Sequence, residues 1–174
     1  MAEPFISGYA LQWQQPATIA GLFVERFARG SFDRSLRDNP DVAALWSHDS
    51  SRPLGRVGNG TLTLKPDSIG LWYALTPNPD SPSGQEALAS VGRADVGQVS
   101  VGFSSVIEEW TDADALPSRL ITEARLHEIS LVLWAAYGDA TSASLSRAAD
   151  NSAAALRRIA LRKAEDAMRL RGIR

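Results

Sequence analysis

The chain contains only two histidines, His48 and His127, so any mechanism that needs an imidazole must use one of them. Histidine titrates close to neutral pH, which suits it to accept and return a proton. His48 follows the short apolar segment 42–46 and precedes the polar run 49–53. This pattern predicts a strand that ends at a loop, where a side chain is held firmly and stays accessible. His48 is therefore a candidate general base.

Ser100 is the candidate nucleophile, within the segment Val99-Ser100-Val101-Gly102. In a strand the two valines point to one face and Ser100 to the other, so Ser100 faces a groove or solvent if the valines face the core. Gly102 permits a close backbone approach or a bulge beside it. Serine on the wet face of a strand is common, so this spacing alone does not identify a nucleophile. The G-x-S-x-G elbow of the α/β-hydrolases is absent from the sequence.

The adjacent residues His127 and Glu128 supply a third candidate group. Strand alternation places Glu128 on one face with Leu126 and Ser130, and His127 on the opposite face among aliphatic residues. The two side chains therefore cannot both enter one cleft if the strand is regular. Glu128 lies on the more polar face and is placed to orient His48, whereas His127 is expected to be partly buried.

A metal site is the competing chemistry, because His48, Asp49, His127 and Glu128 could supply nitrogen and oxygen ligands. The sequence has no H-E-x-x-H or similar spacing, and strand alternation separates His127 from Glu128. The glycines at 55–60 lack the Lys-Ser/Thr ending and the following helix of a phosphate-binding loop. No metal and no cofactor are predicted.

The elements that would position these residues are mostly short strands. Ser31 is a plausible N-cap for a short helix that ends at Asn39-Pro40. Ser83 and Glu86 have capping-box spacing, which predicts a helix over 84–93. Strands are predicted over 5–13, 42–46, 54–75 (two or three strands), 96–110 and 120–133. Many short strands with few helices indicate a β-rich α+β fold, with a β-barrel or sandwich core and peripheral helices.

Length and composition allow one domain with a basic extension. The chain has 174 residues, of which 44% are hydrophobic, and no cysteine, so disulfides and thiol chemistry are excluded. No apolar run is long enough for a membrane span, and no secretory signal is recognisable. Residues 151–174 carry seven basic and two acidic side chains. The region 148–171 is predicted to be a helix. Three interpretations of it are open: a solvated surface helix, a docking tail, and a segment that binds acidic surfaces or nucleic acid weakly.

Six segments in order resemble the prohead maturation proteases of tailed bacteriophages, which are distantly related to the herpesvirus capsid proteases. The resemblance covers residues 8–145 and includes the segments of both His48 and Ser100. The segments are GYA at 8–10, ERFARGSFDRSL at 25–36, LWSHD at 45–49 followed by LGRV at 54–57, SIGLW at 68–72, VSVGF at 99–103 and LHEISLV at 126–132. Each motif is weak alone, but their order along most of the chain makes the resemblance specific.

The resemblance implies a serine endopeptidase with a herpesvirus-protease-like β-barrel core. It implies that Ser100 attacks the scissile carbonyl, that His48 is its base and that Glu128 holds the imidazole. The herpesvirus relatives use a histidine as third member, so His127 remains an alternative to Glu128. The order histidine, serine, third member differs from that of chymotrypsin, subtilisin and the α/β-hydrolases.

The resemblance also implies the substrates and the setting. The expected substrates are scaffold and major capsid protein segments and the chain itself, cut inside the assembling procapsid in the host cytoplasm. A homodimer or higher oligomer is expected, with no membrane contact and nucleic acid an unlikely partner. Residues 1–146 are expected to form the protease domain and 147–174 a basic helix or tail. The alternatives are a catalytically inactive protease-fold scaffold or structural protein, and an esterase that shares the serine–histidine pair.

Overall fold

Alternating apolar and polar residues form most of the secondary structure in the computed structural model, which describes residues 3–146. Within that range the chain has ten strands and two α-helices. The helices are α1 (Asp33–Asp38) and α2 (Pro82–Gly92). The strands are β1 (Phe5–Gln12), β2 (Ala17–Ile19), β3 (Phe23–Phe27), β4 (Ala43–Trp46), β5 (Asp49–Arg56), β6 (Leu62–Pro66), β7 (Gly70–Leu75), β8 (Gln98–Thr111), β9 (Ser118–Val132) and β10 (Ser144–Ser146).

The strands form two sheets. One has four strands in the order β10-β1-β7-β6. The other has six, in the order β2-β3-β9-β4-β5, with β8 paired to β9. Strand β8 runs antiparallel to β9 along its whole length, while β3 and β4 pair parallel to β9 at residues 118–121 and 128–131. Since a strand has two edges, β8 occupies one edge of β9, and β3 and β4 share the other.

A single apolar core joins the two sheets and the helices. It includes Leu11 and Tyr73 from the smaller sheet and Phe27 and Ile129 from the larger one, all 3% exposed or less. The Phe27 ring packs edge-to-face on Phe103 of β8, with 4.9 Å between ring centroids. Such packing fixes the faces of β8 and β9, because a slip of one residue would turn every buried side chain outward.

Most of the predicted elements are present, with corrections at their ends. The polar run 49–53, predicted as a loop, is the first part of strand β5. Helix α2 begins two residues earlier than predicted, with Ser81 rather than Ser83 as its cap, since the Ser81 hydroxyl accepts from Gly84 N at 3.0 Å. Ser31 is not a cap either: Phe32 is the N-cap residue of α1, and the buried Ser31 hydroxyl has no hydrogen-bond partner within residues 3–146.

The described residues have a β-rich α+β fold, as the sequence predicts. The two sheets do not close into a barrel in the described part of the chain. Neither helix within residues 3–146 has the length and apolar character needed to cross a membrane. The predicted basic helix over 148–171 lies outside the described residues.

Candidate active site

His48 lies at the tip of a tight hairpin between β4 and β5. Trp46 pairs with Asp49, so Ser47 and His48 alone form the turn. Both have positive φ angles, 51° and 60°, as in the type I′ turns that match the twist of a hairpin. A positive φ is unusual for a residue with a side chain and costs on the order of 1 kcal/mol or more. The turn needs support from its surroundings.

Strand β9 provides that support. Ser47 N donates to the Leu131 carbonyl at 3.0 Å, and His48 N donates to the Ser130 hydroxyl at 3.0 Å. Strand β4 enters the turn in parallel pairing with this part of β9, with Leu45 opposite Ser130. The hairpin tip is therefore attached to the strand that carries Glu128.

The His48 ring contacts the Glu128 carboxylate directly. The distance from His48 Nδ1 to Glu128 Oε1 is 2.6 Å. The His48 side chain is 46% exposed, whereas that of Glu128 is only 14% exposed. The other carboxylate oxygen, Oε2, accepts a hydrogen bond from the Ser130 hydroxyl at 2.6 Å. An imidazole bound through Nδ1 in this way keeps Nε2 for a substrate or a nucleophile.

Gly102 provides the space for that carboxylate. It pairs with Glu128 across the β8–β9 ladder. A Cβ atom at position 102 would overlap Glu128 Oε1 and come within 2.8 Å of its Cδ. The glycine therefore lets Glu128 lie against the backbone of β8, which is the close approach that the sequence allows at this position. A register shift follows between Gly102 and Phe103.

Ser100 lies directly opposite Ser130, two residues along β8 from Gly102 and on the same face. Directly opposed residues in an antiparallel pair have Cα atoms about 4.5–5.5 Å apart. Val99 is buried and Ser100 is half-buried, so the valine faces the core as expected. Within residues 3–146 the Ser100 hydroxyl and the His48 ring are not hydrogen-bonded. Both nevertheless adjoin Ser130, which brings Ser100 and His48 to the same stretch of sheet.

His127 has a different environment from the one predicted. It is exposed rather than partly buried, and its Nε2 lies 2.8 Å from the Ser104 hydroxyl. The register shift is the reason: Gly102 pairs with Glu128 and Phe103 with Leu126, so His127 has no opposed partner. The bulge turns His127 into solvent, away from the aliphatic face.

Asp49 does not compete for the His48 ring. Its carboxylate accepts from the Ser51 hydroxyl at 2.6 Å and from Ser51 N at 2.9 Å. These two hydrogen bonds, the hydroxyl first, hold the pKa of Asp49 below its usual value. Within residues 3–146 no three histidine, aspartate or glutamate side chains cluster as a metal site requires. The acidic partner of His48 is Glu128.

The part of the site that sequence reasoning missed is Ser130. It appears in the sequence only as a polar residue on the face of Glu128. A serine two residues from a candidate carboxylate, on the same predicted strand face, is the sequence signal that could have identified it.

Comparisons with known proteins identify a family for the chain. The sequence model of the caudovirus prohead serine protease family matches residues 1–154. Comparison with curated proteins gives no significant match.

Proposed function

This chain belongs to the caudovirus prohead serine protease family, and we propose that it cuts peptide bonds with a triad of Ser100, His48 and Glu128. The observation that carries the proposal is the 2.6 Å contact between His48 Nδ1 and Glu128 Oε1, beside the strand segment that holds Ser100. It combines an imidazole oriented by a carboxylate with a neighbouring serine, which is the arrangement that activates a hydroxyl.

In the proposed reaction, Ser100 Oγ attacks the scissile carbonyl carbon while His48 Nε2 takes the hydroxyl proton. Glu128 stabilises the imidazolium that forms. The carbon–nitrogen bond then breaks as His48 gives the proton to the leaving amine, which leaves an acyl group on Ser100. Water, deprotonated by His48, attacks this ester, and the carboxylic acid product departs as the proton returns to Ser100.

The proposed substrates are those expected of the family: segments of scaffold and major capsid protein, and the chain itself, cut inside the procapsid in the host cell. A herpesvirus-protease-like core, a homodimer or higher oligomer, and a protease domain over 1–146 followed by a basic tail belong to the same proposal. Such a tail, with the seven basic side chains of residues 151–174, would suit a contact to an acidic surface of the scaffold.

A second candidate is an inactive protease-fold structural protein. The observation that favours it is the missing hydrogen bond between Ser100 and His48. Catalytic hydrogen bonds are often long before substrate binds and tighten in the complex, so this geometry is also that of an unliganded protease. A serine-reactive fluorophosphonate separates the two: only an activated Ser100 is labelled.

The test is intact-mass spectrometry of the purified chain and of Ser100→Ala, each incubated alone and with scaffold and capsid protein. Cleavage by the unmutated chain and none by Ser100→Ala would support the proposal, and the fragment masses would give the cut sites. No cleavage and no fluorophosphonate labelling would favour the inactive structural protein. Equal cleavage by both chains would exclude Ser100 as nucleophile. Ester hydrolysis without peptide cleavage would indicate an esterase.

A further inference from the structure

We propose that Ser130 is a positioning residue of the site, which ties the main chain of His48 to the carboxylate of Glu128; the inference rests on the proposed function. Ser130 is fully buried. Its hydroxyl accepts from His48 N at 3.0 Å and donates to Glu128 Oε2 at 2.6 Å. One hydroxyl thus contacts both members of the histidine–glutamate pair, on atoms other than those that join the pair directly.

The carboxylate needs this second contact because a glutamate side chain is long. With Oε1 alone engaged by His48, the carboxylate could still turn about its terminal bond. The donation from Ser130 to Oε2 removes that freedom, so that both oxygens have a fixed partner. Gly102 leaves room on one side, and Ser130 holds the group from the other.

The main chain of His48 needs the contact because its conformation is strained. His48 has a φ of 60°, and its N–H points to the Ser130 hydroxyl. Leaving this partly buried donor without a partner would weaken the turn at the residue that carries the imidazole. A small displacement there matters, since misplacing a catalytic group by about 1 Å can cost on the order of a hundredfold in rate.

Ser130 is not itself a competing nucleophile. Its hydroxyl is buried, and its proton is directed at Glu128 Oε2 rather than at the His48 ring. Ser100, on the opposed strand, is half-buried, and its hydroxyl makes no such hydrogen bond within residues 3–146. The two serines on this face therefore have separate roles, one in attack and one in alignment.

The first experiment monitors the hydrogen bond between His48 and Glu128 without measuring activity. In a Ser100→Ala, His127→Gln chain labelled with ¹⁵N-histidine, His48 is the only histidine, and a proton held between Nδ1 and a carboxylate gives a far-downfield ¹H signal. The expected result is a signal in this chain that is lost or broadened by exchange after Ser130→Ala. The matched control is Ser35→Ala, which likewise removes a buried hydroxyl that accepts from a main-chain N–H, in this case Leu126 N at 2.9 Å. An unchanged signal in Ser130→Ala would overturn the inference.

The second experiment measures cleavage in the otherwise unmutated chain. Ser130→Ala should lower kcat on the order of tenfold or more with little change in KM, and Ser35→Ala should not. In a Glu128→Gln background, Ser130→Ala should have a smaller effect than in the unmutated chain, because one of its two contacts, the donation to that carboxylate, is already altered. Additive losses would overturn the inference. If Ser130→Ala does not fold, Ser130→Cys, close in shape but a weak donor, is judged by the same results.

The two proposals fail in different ways. Full activity in Glu128→Gln, or no downfield signal even before Ser130 is changed, would contradict the proposed triad. A signal that disappears in Glu128→Gln but is unchanged in Ser130→Ala would contradict the role of Ser130 alone.

Discussion

Replacing Gly102 by alanine should place a methyl group where the Glu128 carboxylate lies. The new Cβ would overlap Oε1 and lie 2.8 Å from Cδ and 2.9 Å from Cγ of Glu128. Ordinary contacts begin near 3.4 Å, so the whole end of the side chain must move away from its present position. Gly102 has no positive φ, so alanine is otherwise acceptable to the backbone of the strand.

The expected loss follows from that displacement. The His48–Glu128 contact is short, and moving the carboxylate by about 1 Å breaks it, which should lower kcat/KM on the order of a hundredfold. Stability should change little, because alanine lowers the backbone entropy of the unfolded chain relative to glycine, and this gain offsets the cost of local repacking. The defect should therefore be in catalysis and not in folding.

The assay is kcat/KM for a scaffold-derived peptide, with the thermal midpoint measured on the same samples. Gly97→Ala is the matched control, because a Cβ there meets nothing within 4 Å and the φ of Gly97 is not positive. Full activity of Gly102→Ala, when Glu128→Gln is impaired, would refute the reasoning. An equal loss in Gly97→Ala would show that any alanine near the start of β8 is harmful.

Further predictions concern pH, the hairpin turn and a buried ion pair. Activity should fall on the acid side, because a general base must be neutral to accept a proton; a pH–rate profile without an acid-side fall would exclude His48 as base. Ser47→Asn should raise the free energy of unfolding by about 0.5 kcal/mol in urea titration, since asparagine suits the positive φ of this turn, and a lower midpoint would contradict that view. Arg119→Met should cost about 3 kcal/mol in the same titration, because it leaves the Glu25 carboxylate, only 5% exposed, without its cation. Arg93→Met, which removes an exposed pair with Asp95, is its control and should cost under about 1 kcal/mol.

The long strands could be read from the sequence because their alternation is local and extended. Strands β1, β8 and β9 fall where the pattern predicts them. The short strands β2, β3 and β10 were missed, since three to five residues carry too little alternation to distinguish from a loop. These strands exist because a neighbouring strand pairs with them.

The prediction of a loop over 49–53, where β5 begins, was wrong for a related reason. The first residues of β5 are polar and mostly exposed, so they resemble a loop in composition. Pairing with β4 across a two-residue turn makes them a strand. The helix N-caps were misplaced by one or two residues. Ser81 and Ser83 are both suitable cap residues for α2, and the N-cap residue of α1, Phe32, makes no side-chain cap hydrogen bond.

The sequence by itself identified the residues whose side chains could act as base, nucleophile or ligand. The resemblance to a family selected Ser100, His48 and Glu128 among them. Only the tertiary structure decided how they meet. His48 and Glu128 are 80 residues apart, and their contact depends on the parallel pairing of β4 with β9. The exposure of His127 depends on a register shift, and the role of Ser130 depends on the His48 amide in the β4–β5 turn. Alternation specifies which face a side chain takes, but cross-strand register is set by the packing of the whole core, which no local pattern contains.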